Sequence, residues 1–70
     1  MNISELKAEM ARQNVTIPRL AEKISVSKKT LYSRFKGDTC FTQPEIAAIA
    51  RVLELSNTKI FAIFFASEVS

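Results

Sequence analysis

Apolar residues recur every three or four positions along most of the chain, which is the spacing of one face of an α-helix. Short polar segments interrupt this pattern, and it predicts helices over residues 3–13, 17–24, 28–36, 43–54 and 57–66. One apolar stripe from each helix is expected to enter a shared core. The predicted core residues are Ile3, Leu6, Met10, Ile17, Leu20, Ala21, Ile24, Leu31, Phe35, Ile46, Ile49, Ala50, Leu53, Ile60, Ile63 and Phe64. The pattern therefore predicts an all-α fold, with residues 1–70 forming a single domain.

Each predicted helix begins with the same local pattern. A capping residue follows an apolar residue, and another apolar residue lies four positions after the cap, which is the hydrophobic staple. The predicted caps are Asn2, Thr16, Ser27, Thr42 and Ser56. A Glu three residues after the cap completes a predicted capping box at two helices, Glu5 with Asn2 and Glu45 with Thr42. Gly37 follows the third helix, where a left-handed residue is favoured. These residues support the helix boundaries independently of the apolar spacing.

The composition narrows the class of protein. One Gly and two Pro among 70 residues favour helices over a turn-rich β fold. The chain has no His and only one cysteine, Cys40, so no metal site, cofactor or internal disulfide is predicted. An unpaired cysteine suits a reducing compartment, and charged residues stand where a signal peptide needs an apolar centre, so a cytoplasmic location is expected. No membrane span is expected, because the apolar stretch 60–66 is far too short.

Positive charge is concentrated in one segment of the chain. Residues 23–37 contain five basic side chains and no acidic one, although the net charge of the whole chain is only +3. The basic residues are Lys23, Lys28, Lys29, Arg34 and Lys36. Such a segment on a nearly neutral protein is typical of a surface that binds a polyanion. A solvated surface without any partner fits the charge pattern equally well.

The connection between the second and third predicted helices is very short. The second helix ends near Ile24 and Ser27 already caps the third, so only Ser25 and Val26 lie between them. Two short helices joined this tightly are predicted to cross steeply, which is helix-turn-helix geometry. Ala21 is small at the position where the two backbones should approach most closely.

Residues 16–31 resemble the helix-turn-helix of the lambda-repressor-like, Cro/CI-type family. The resemblance rests on Leu-Ala-Glu-Lys at 20–23, Val-Ser at 26–27, Lys-Lys-Thr-Leu at 28–31 and the stop at Gly37. It implies a compact five-helix DNA-binding domain with the motif at the second and third helices. Within the family, the chain is most similar to short Cro-like regulators of phages and prophages in Gram-positive bacteria.

Two positions depart from the family pattern. Ser25 stands in the turn where the family usually has Gly, and a left-handed conformation there would cost roughly 1 kcal/mol relative to Gly. Ile17 replaces a Gln that contacts phosphate in the family. The backbone amides at the start of that helix are then the remaining donors for the phosphate.

The third helix is predicted to enter the major groove of DNA. Its inward side is defined by Leu31 and Phe35, and the N-terminal half of a recognition helix is the part that contacts bases. The predicted base-contacting residues, favoured also by the resemblance, are Lys28, Lys29, Tyr32 and Ser33. For the two lysines, guanine O6 and N7 are the expected partners, and contact with phosphate alone remains open. For Tyr32, packing against the domain surface remains open.

The resemblance assigns phosphate contacts to the start of the second helix and to the segment that follows the groove helix. These residues are Thr16, Ile17, Arg34, Lys36, Thr39, Thr42 and Gln43. Thr42 has an alternative role as a helix cap. Cys40 lies in the same segment and is expected to be a half-buried thiol rather than a redox switch.

The fifth predicted helix has more large apolar side chains than one core-facing side can bury. Phe61 and Phe65 are predicted to form a homodimer interface, because an exposed aromatic patch on a small domain usually marks an interface. A two-fold dimer would bind a two-fold symmetric operator. The alternative, that both rings complete the core, remains open.

The sequence thus predicts sequence-specific binding of double-stranded DNA by a transcriptional regulator, most simply a Cro-like repressor that acts by occupying its operator. The alternative is an antirepressor that pairs with a partner repressor protein through the fifth helix. An enzyme is not predicted, because the chain has no His, no phosphate-binding glycine loop and no evident pair of catalytic carboxylates.

Overall fold

Helices form where the apolar spacing predicts them, and residues 1–65, which the computed structural model describes, contain no strand. The helices are α1 (Ile3–Arg12), α2 (Ile17–Ile24), α3 (Lys28–Lys36), α4 (Gln43–Val52) and α5 (Asn57–Ile60). A π-helical segment, Phe61–Phe65, continues directly from α5. The all-α prediction and all five helix starts are confirmed, while α1 and α4 end one and two residues earlier than predicted. The predicted end of the fifth helix, residue 66, lies outside the described residues.

The helix starts are fixed by the predicted caps. Each capping side chain accepts a hydrogen bond from the backbone N–H three residues later, and these side chains belong to Asn2, Thr16, Ser27, Thr42 and Ser56. At α4 the capping box is complete, because the Glu45 carboxylate also accepts a hydrogen bond from the backbone N–H of Thr42 at 3.0 Å. The capping box predicted at α1 was wrong, because the backbone N–H of Asn2 donates to the carbonyl of Ile63 and not to Glu5. Since a cap contributes about 1 kcal/mol, local sequence determines where each helix begins.

Three of the connections between helices share one backbone geometry. A left-handed residue, an apolar residue and a capping residue follow one another, and the left-handed residues are Asn14 (φ 57°), Ser25 (φ 62°) and Glu54 (φ 52°). Each following apolar residue donates its N–H to a carbonyl five residues earlier, as in a Schellman motif. These bonds are Val15 to Met10 (2.9 Å), Val26 to Ala21 (3.0 Å) and Leu55 to Ala50 (2.9 Å). The short connection is therefore shared by α1–α2, α2–α3 and α4–α5.

The core draws on the four longer helices, on the connection after α4 and on the π-helical segment. Within residues 1–65 ten apolar side chains are buried, and all of them belong to the predicted core: Leu6, Met10, Leu20, Ala21, Leu31, Phe35, Ile49, Leu53, Ile63 and Phe64. The ring of Phe41, which the spacing did not place in the core, lies edge-to-face with Phe35 and with Phe64, both at 5.8 Å between centroids. Phe41 thus connects the α3–α4 loop to the C-terminal segment.

The C-terminal segment is also held against α1 by polar contacts. The backbone N–H of Asn2 donates to the carbonyl of Ile63 at 2.7 Å. The Lys59 ammonium lies 2.7 Å from the Glu5 carboxylate, and this hydrogen bond lowers the pKa of Glu5 and raises that of Lys59. Both groups are thus held in their charged forms. With Ile63 and Phe64 in the core, these contacts fix which side of the segment faces outward.

Ser25→Gly is expected to stabilise the protein by about 0.5–1 kcal/mol. Ser25 adopts φ 62°, where its Cβ is strained, although part of the gain is offset by the greater freedom of Gly in the unfolded chain. The free energy of unfolding from a denaturant titration measures the effect. As a control, Gly37→Ala should be destabilising, since φ is 90° there and a Cβ would meet no atom within 4 Å, leaving backbone strain as the cause. Unchanged or lower stability of Ser25→Gly would contradict the expectation.

Candidate nucleic-acid interface

The recognition helix α3 has one buried side and one exposed side, as its sequence predicts. Leu31 and Phe35 are buried, at 1% and 8% exposure. Lys28, Lys29 and Lys36 are exposed, and α3 contains no acidic residue. The exposed side therefore presents positive charge to solvent over the length of the helix, while the buried side anchors it to the core.

The four residues predicted to contact bases differ in how accessible they are. Lys28 and Lys29 lie in the first turn of α3, and within residues 1–65 neither ammonium group forms an ion pair. Tyr32 is 46% exposed, so a large part of its surface is open to solvent. Ser33 is half-buried, and its hydroxyl lies 3.4 Å from that of Thr39 in the α3–α4 loop. The lysines and Tyr32 thus form the most accessible part of the predicted surface.

The start of α2 and the start of α3 flank one shallow groove. Its lining includes Thr16, Arg19, Ser27 and Lys28, so a capped helix start and the first basic residue of α3 lie along the same depression. The Thr16 hydroxyl accepts the N–H of Arg19 at 3.3 Å. Ile17 is half-buried and packs against the core, so its side chain serves the fold and its backbone lies at the helix start. This arrangement suits an anion, because a helix start presents backbone donors and a positive dipole end.

The α3–α4 loop is organised around an ion pair. Arg34 donates from Nε to Glu45 Oε1 at 2.8 Å and from Nη2 to Oε2 at 3.0 Å, and both side chains are largely buried, at 16% and 13% exposure. Arg34 Nη1 also donates to the hydroxyl of Thr39 at 2.6 Å. The hydrogen bond from Arg34 lowers the pKa of Glu45, as does the backbone N–H of Thr42, while burial acts in the opposite direction. Glu45 is thus held as a carboxylate.

The other predicted phosphate contacts lie around this pair. Thr42 caps α4, which is the alternative role proposed for it, and it remains exposed. Gln43 is exposed at the first position of α4, and Lys36 is exposed and lies 3.6 Å from Asp38. Cys40 is exposed, so the expectation of a half-buried thiol was wrong. The neighbouring Phe41 ring, not the thiol, turns toward the core.

Glu45 is the functional candidate that sequence reasoning missed. Its position three residues after Thr42 identified it only as part of a capping box. Its pairing with Arg34 joins two helices across 11 residues, and no local pattern reveals such a contact. The charge pattern does not single it out either, because the first acidic residue after the basic segment 23–37 is Asp38 and Glu45 lies seven residues further on.

Phe61 and Phe65 form a separate exposed surface. Phe61 is 63% exposed and Phe65 is 47% exposed, whereas Ile63 and Phe64 between them are buried. The alternative that both rings complete the core is therefore wrong. The two rings stand four residues apart on the outward side of the π-helical segment, and they are called the aromatic pair below.

An all-α fold that presents a basic helix, joined to a preceding helix by a three-residue turn, defines a DNA-binding helix-turn-helix domain. A helix-turn-helix family model matches residues 6–57, which include α2, α3 and the α3–α4 loop. The chain therefore belongs to the helix-turn-helix family of the Cro/CI type, and it is a DNA-binding transcription regulator.

Comparison with curated proteins and with solved structures gave no significant match. The family is one of DNA-binding regulators and is not typically enzymatic. Across residues 1–65, no helix has the length and apolar character needed to cross a membrane. The aromatic pair lies beyond the matched residues 6–57, so the family match assigns no role to these two rings.

Proposed function

We propose that this regulator is a Cro-like repressor that binds a specific operator in double-stranded DNA and acts by occupying it. The observation that supports this most directly is the exposed side of α3, where Lys28 and Lys29 form no ion pair with any residue from 1 to 65. Two cations that are unpaired within residues 1–65, at the start of a recognition helix, support the proposal that this turn enters the major groove. Occupation of a promoter by this domain would exclude the polymerase sterically.

Base contacts are proposed for Lys28, Lys29, Tyr32 and Ser33. The lysines would donate to guanine O6 and N7, and the exposed ring of Tyr32 would contact a thymine methyl group. Ser33 lies deeper, beside Thr39, so we expect its contribution to be smaller than that of the lysines. Discrimination between base pairs would then depend mainly on the first turn of α3.

Phosphate contacts are proposed on both sides of α3. One group is the start of α2, with Thr16 and the backbone of Ile17. The other is formed by Arg34, Lys36, Thr39, Thr42 and Gln43. Arg34 uses three of its five N–H groups within residues 1–65, so one N–H on each terminal nitrogen is left to donate to a phosphate. The two groups would fix the register of α3 in the groove without themselves distinguishing bases.

A homodimer is proposed to bind a two-fold symmetric operator through two copies of α3. The support is the aromatic pair, which exposes two large rings on a segment whose orientation is fixed by the core. One helix-turn-helix contacts only a short half-site, and two-fold pairing doubles the contacted sequence. The same exposed rings also favour the second candidate function, an antirepressor that pairs with a partner repressor protein.

The affinity for DNA is expected to fall steeply with salt. A regulator that neutralises about five phosphates should show log affinity against log salt with a slope of roughly −4 to −5. Duplexes selected from a random library supply the operator, and fluorescence anisotropy at several salt concentrations measures the slope. A scrambled duplex is the control, because it should show a similar slope at much lower affinity. No affinity for any duplex, or a flat salt dependence, would instead favour the antirepressor.

A further inference from the structure

Glu45 is an acidic residue in the first turn of α4, next to the loop in which phosphate contacts are proposed. An acid near a polyanion normally weakens binding, because its charge repels the phosphates. Here the carboxylate faces Arg34 and not solvent, with only 13% of its side chain exposed. A favourable effect of Glu45 on DNA binding would have to exceed the repulsion between its carboxylate and the phosphates.

The two carboxylate oxygens of Glu45 hold both ends of the loop. Oε1 accepts from Arg34 Nε at 2.8 Å and from the backbone N–H of Thr42 at 3.0 Å, while Oε2 accepts from Arg34 Nη2 at 3.0 Å. Through Nη1, Arg34 in turn holds the hydroxyl of Thr39 at 2.6 Å. One carboxylate thus fixes three proposed phosphate contacts, those of Arg34, Thr39 and Thr42, relative to one another.

We infer that Glu45 is a positioning residue for DNA binding, which fixes Arg34 and the α3–α4 loop in the arrangement that contacts phosphate. The inference depends on the DNA-binding function proposed above. A fork of two parallel hydrogen bonds restricts the guanidinium to one plane, and a side chain ordered before binding loses less entropy when it binds. The remaining N–H groups of Arg34 therefore already have fixed directions before DNA binds.

Glu45→Gln provides a test because two explanations predict opposite changes in the affinity for DNA. If Glu45 acts only through its charge, removing that charge should tighten DNA binding. If it positions Arg34, the loss of the charged fork should weaken operator binding about tenfold. Gln has the same shape and still serves in a capping box, so α4 should remain capped.

Asp38→Asn is the matched control. Asp38 lies in the same loop, but it is 61% exposed and its nearest cation, Lys36, is 3.6 Å away and 72% exposed. Removal of this charge should tighten binding by about twofold, which is the effect of simple electrostatics. Circular dichroism and thermal unfolding of each variant give the folded fraction used to correct the affinities.

Two further measurements separate positioning from general destabilisation. Arg34→Met combined with Glu45→Gln should bind DNA no more weakly than Arg34→Met alone. Each change removes the paired hydrogen bonds between residues 34 and 45, so the second change has no further contact to break. The salt slope of Glu45→Gln should also become shallower by about one, because at least one phosphate contact is lost, whereas a less stable domain keeps its slope.

The inference is overturned if the wild type binds the operator and Glu45→Gln binds equally well or more tightly after correction for folding. It is also overturned if the two substitutions are additive and the slope is unchanged. A wild type that binds no duplex would instead overturn the proposed function together with this inference, so the two failures are distinguishable.

Discussion

Replacing both Lys28 and Lys29 with Glu is expected to weaken operator binding by at least about 100-fold. Each lysine that contacts a base is worth about 1–3 kcal/mol of discrimination, and each new carboxylate would face the negative DNA backbone. Both positions lie in the first turn of α3, where acidic residues interact favourably with the helix dipole, so the fold should be retained. Anisotropy with the selected operator and denaturant titration of the same samples measure the two effects separately.

The matched control is the pair Lys7→Glu and Arg51→Glu. These residues are exposed on α1 and α4, and neither forms an ion pair within the part of the chain that the structure describes. Both double variants change the net charge by the same amount, from +3 to −1. The control should lose less than about tenfold in affinity. Its new carboxylates repel the DNA only over a long distance, where salt screens most of the repulsion. Equal losses in the two variants would mean that net charge, not the surface of α3, determines binding.

The helix starts were predictable because the interactions that fix them are local. Each capping side chain, the backbone N–H that donates to it and its two apolar neighbours lie within six consecutive residues, so a short stretch of sequence contains all the partners. The helix ends were less predictable. Glu54 is left-handed in the structure although it is neither Gly nor Asn, and a pattern based on residue preference continues α4 through it.

The π-helical segment could not be predicted from spacing. The apolar residues 60–65 fit an α-helix, and the wider turn arises where Ile63 and Phe64 enter the core together while the backbone of Ile63 accepts the N–H of Asn2. The hydrogen bond joins residues 61 positions apart, and the ring of Phe64 contacts that of Phe41, 23 positions earlier in the chain. Contacts that are distant in sequence therefore accompany the local geometry here, and apolar spacing alone does not contain them.

The helix-turn-helix was located correctly. The short connection between α2 and α3, however, is weak support for that assignment. The same left-handed, apolar and capping sequence joins α1 to α2 and α4 to α5. What distinguishes α2–α3 is the basic, acid-free outward side of α3 and the match to known motif residues. Periodicity was sufficient to find that outward side, because Leu31 and Phe35 define the inward one.

Replacing Phe61 and Phe65 with Ser is expected to raise the dissociation constant of the proposed dimer by at least about 100-fold. A buried aromatic side chain at the centre of an interface is commonly worth about 2 kcal/mol or more, and a two-fold interface contains each ring twice. Both rings are exposed in the monomer, so the free energy of unfolding at a dilution that dissociates the dimer should change by less than about 0.5 kcal/mol. Analytical ultracentrifugation across micromolar concentrations measures the association.

The conservative pair Phe61→Leu and Phe65→Leu keeps the surface apolar and should retain most of the association. The Ser variant should also lose affinity for the two-fold operator while keeping the wild-type affinity for an isolated half-site, because α3 is unchanged. A wild type that stays monomeric at high concentration, with and without operator, would reject the dimer. In that case the exposed rings would be available to another protein, and the antirepressor would become the better explanation of the aromatic pair.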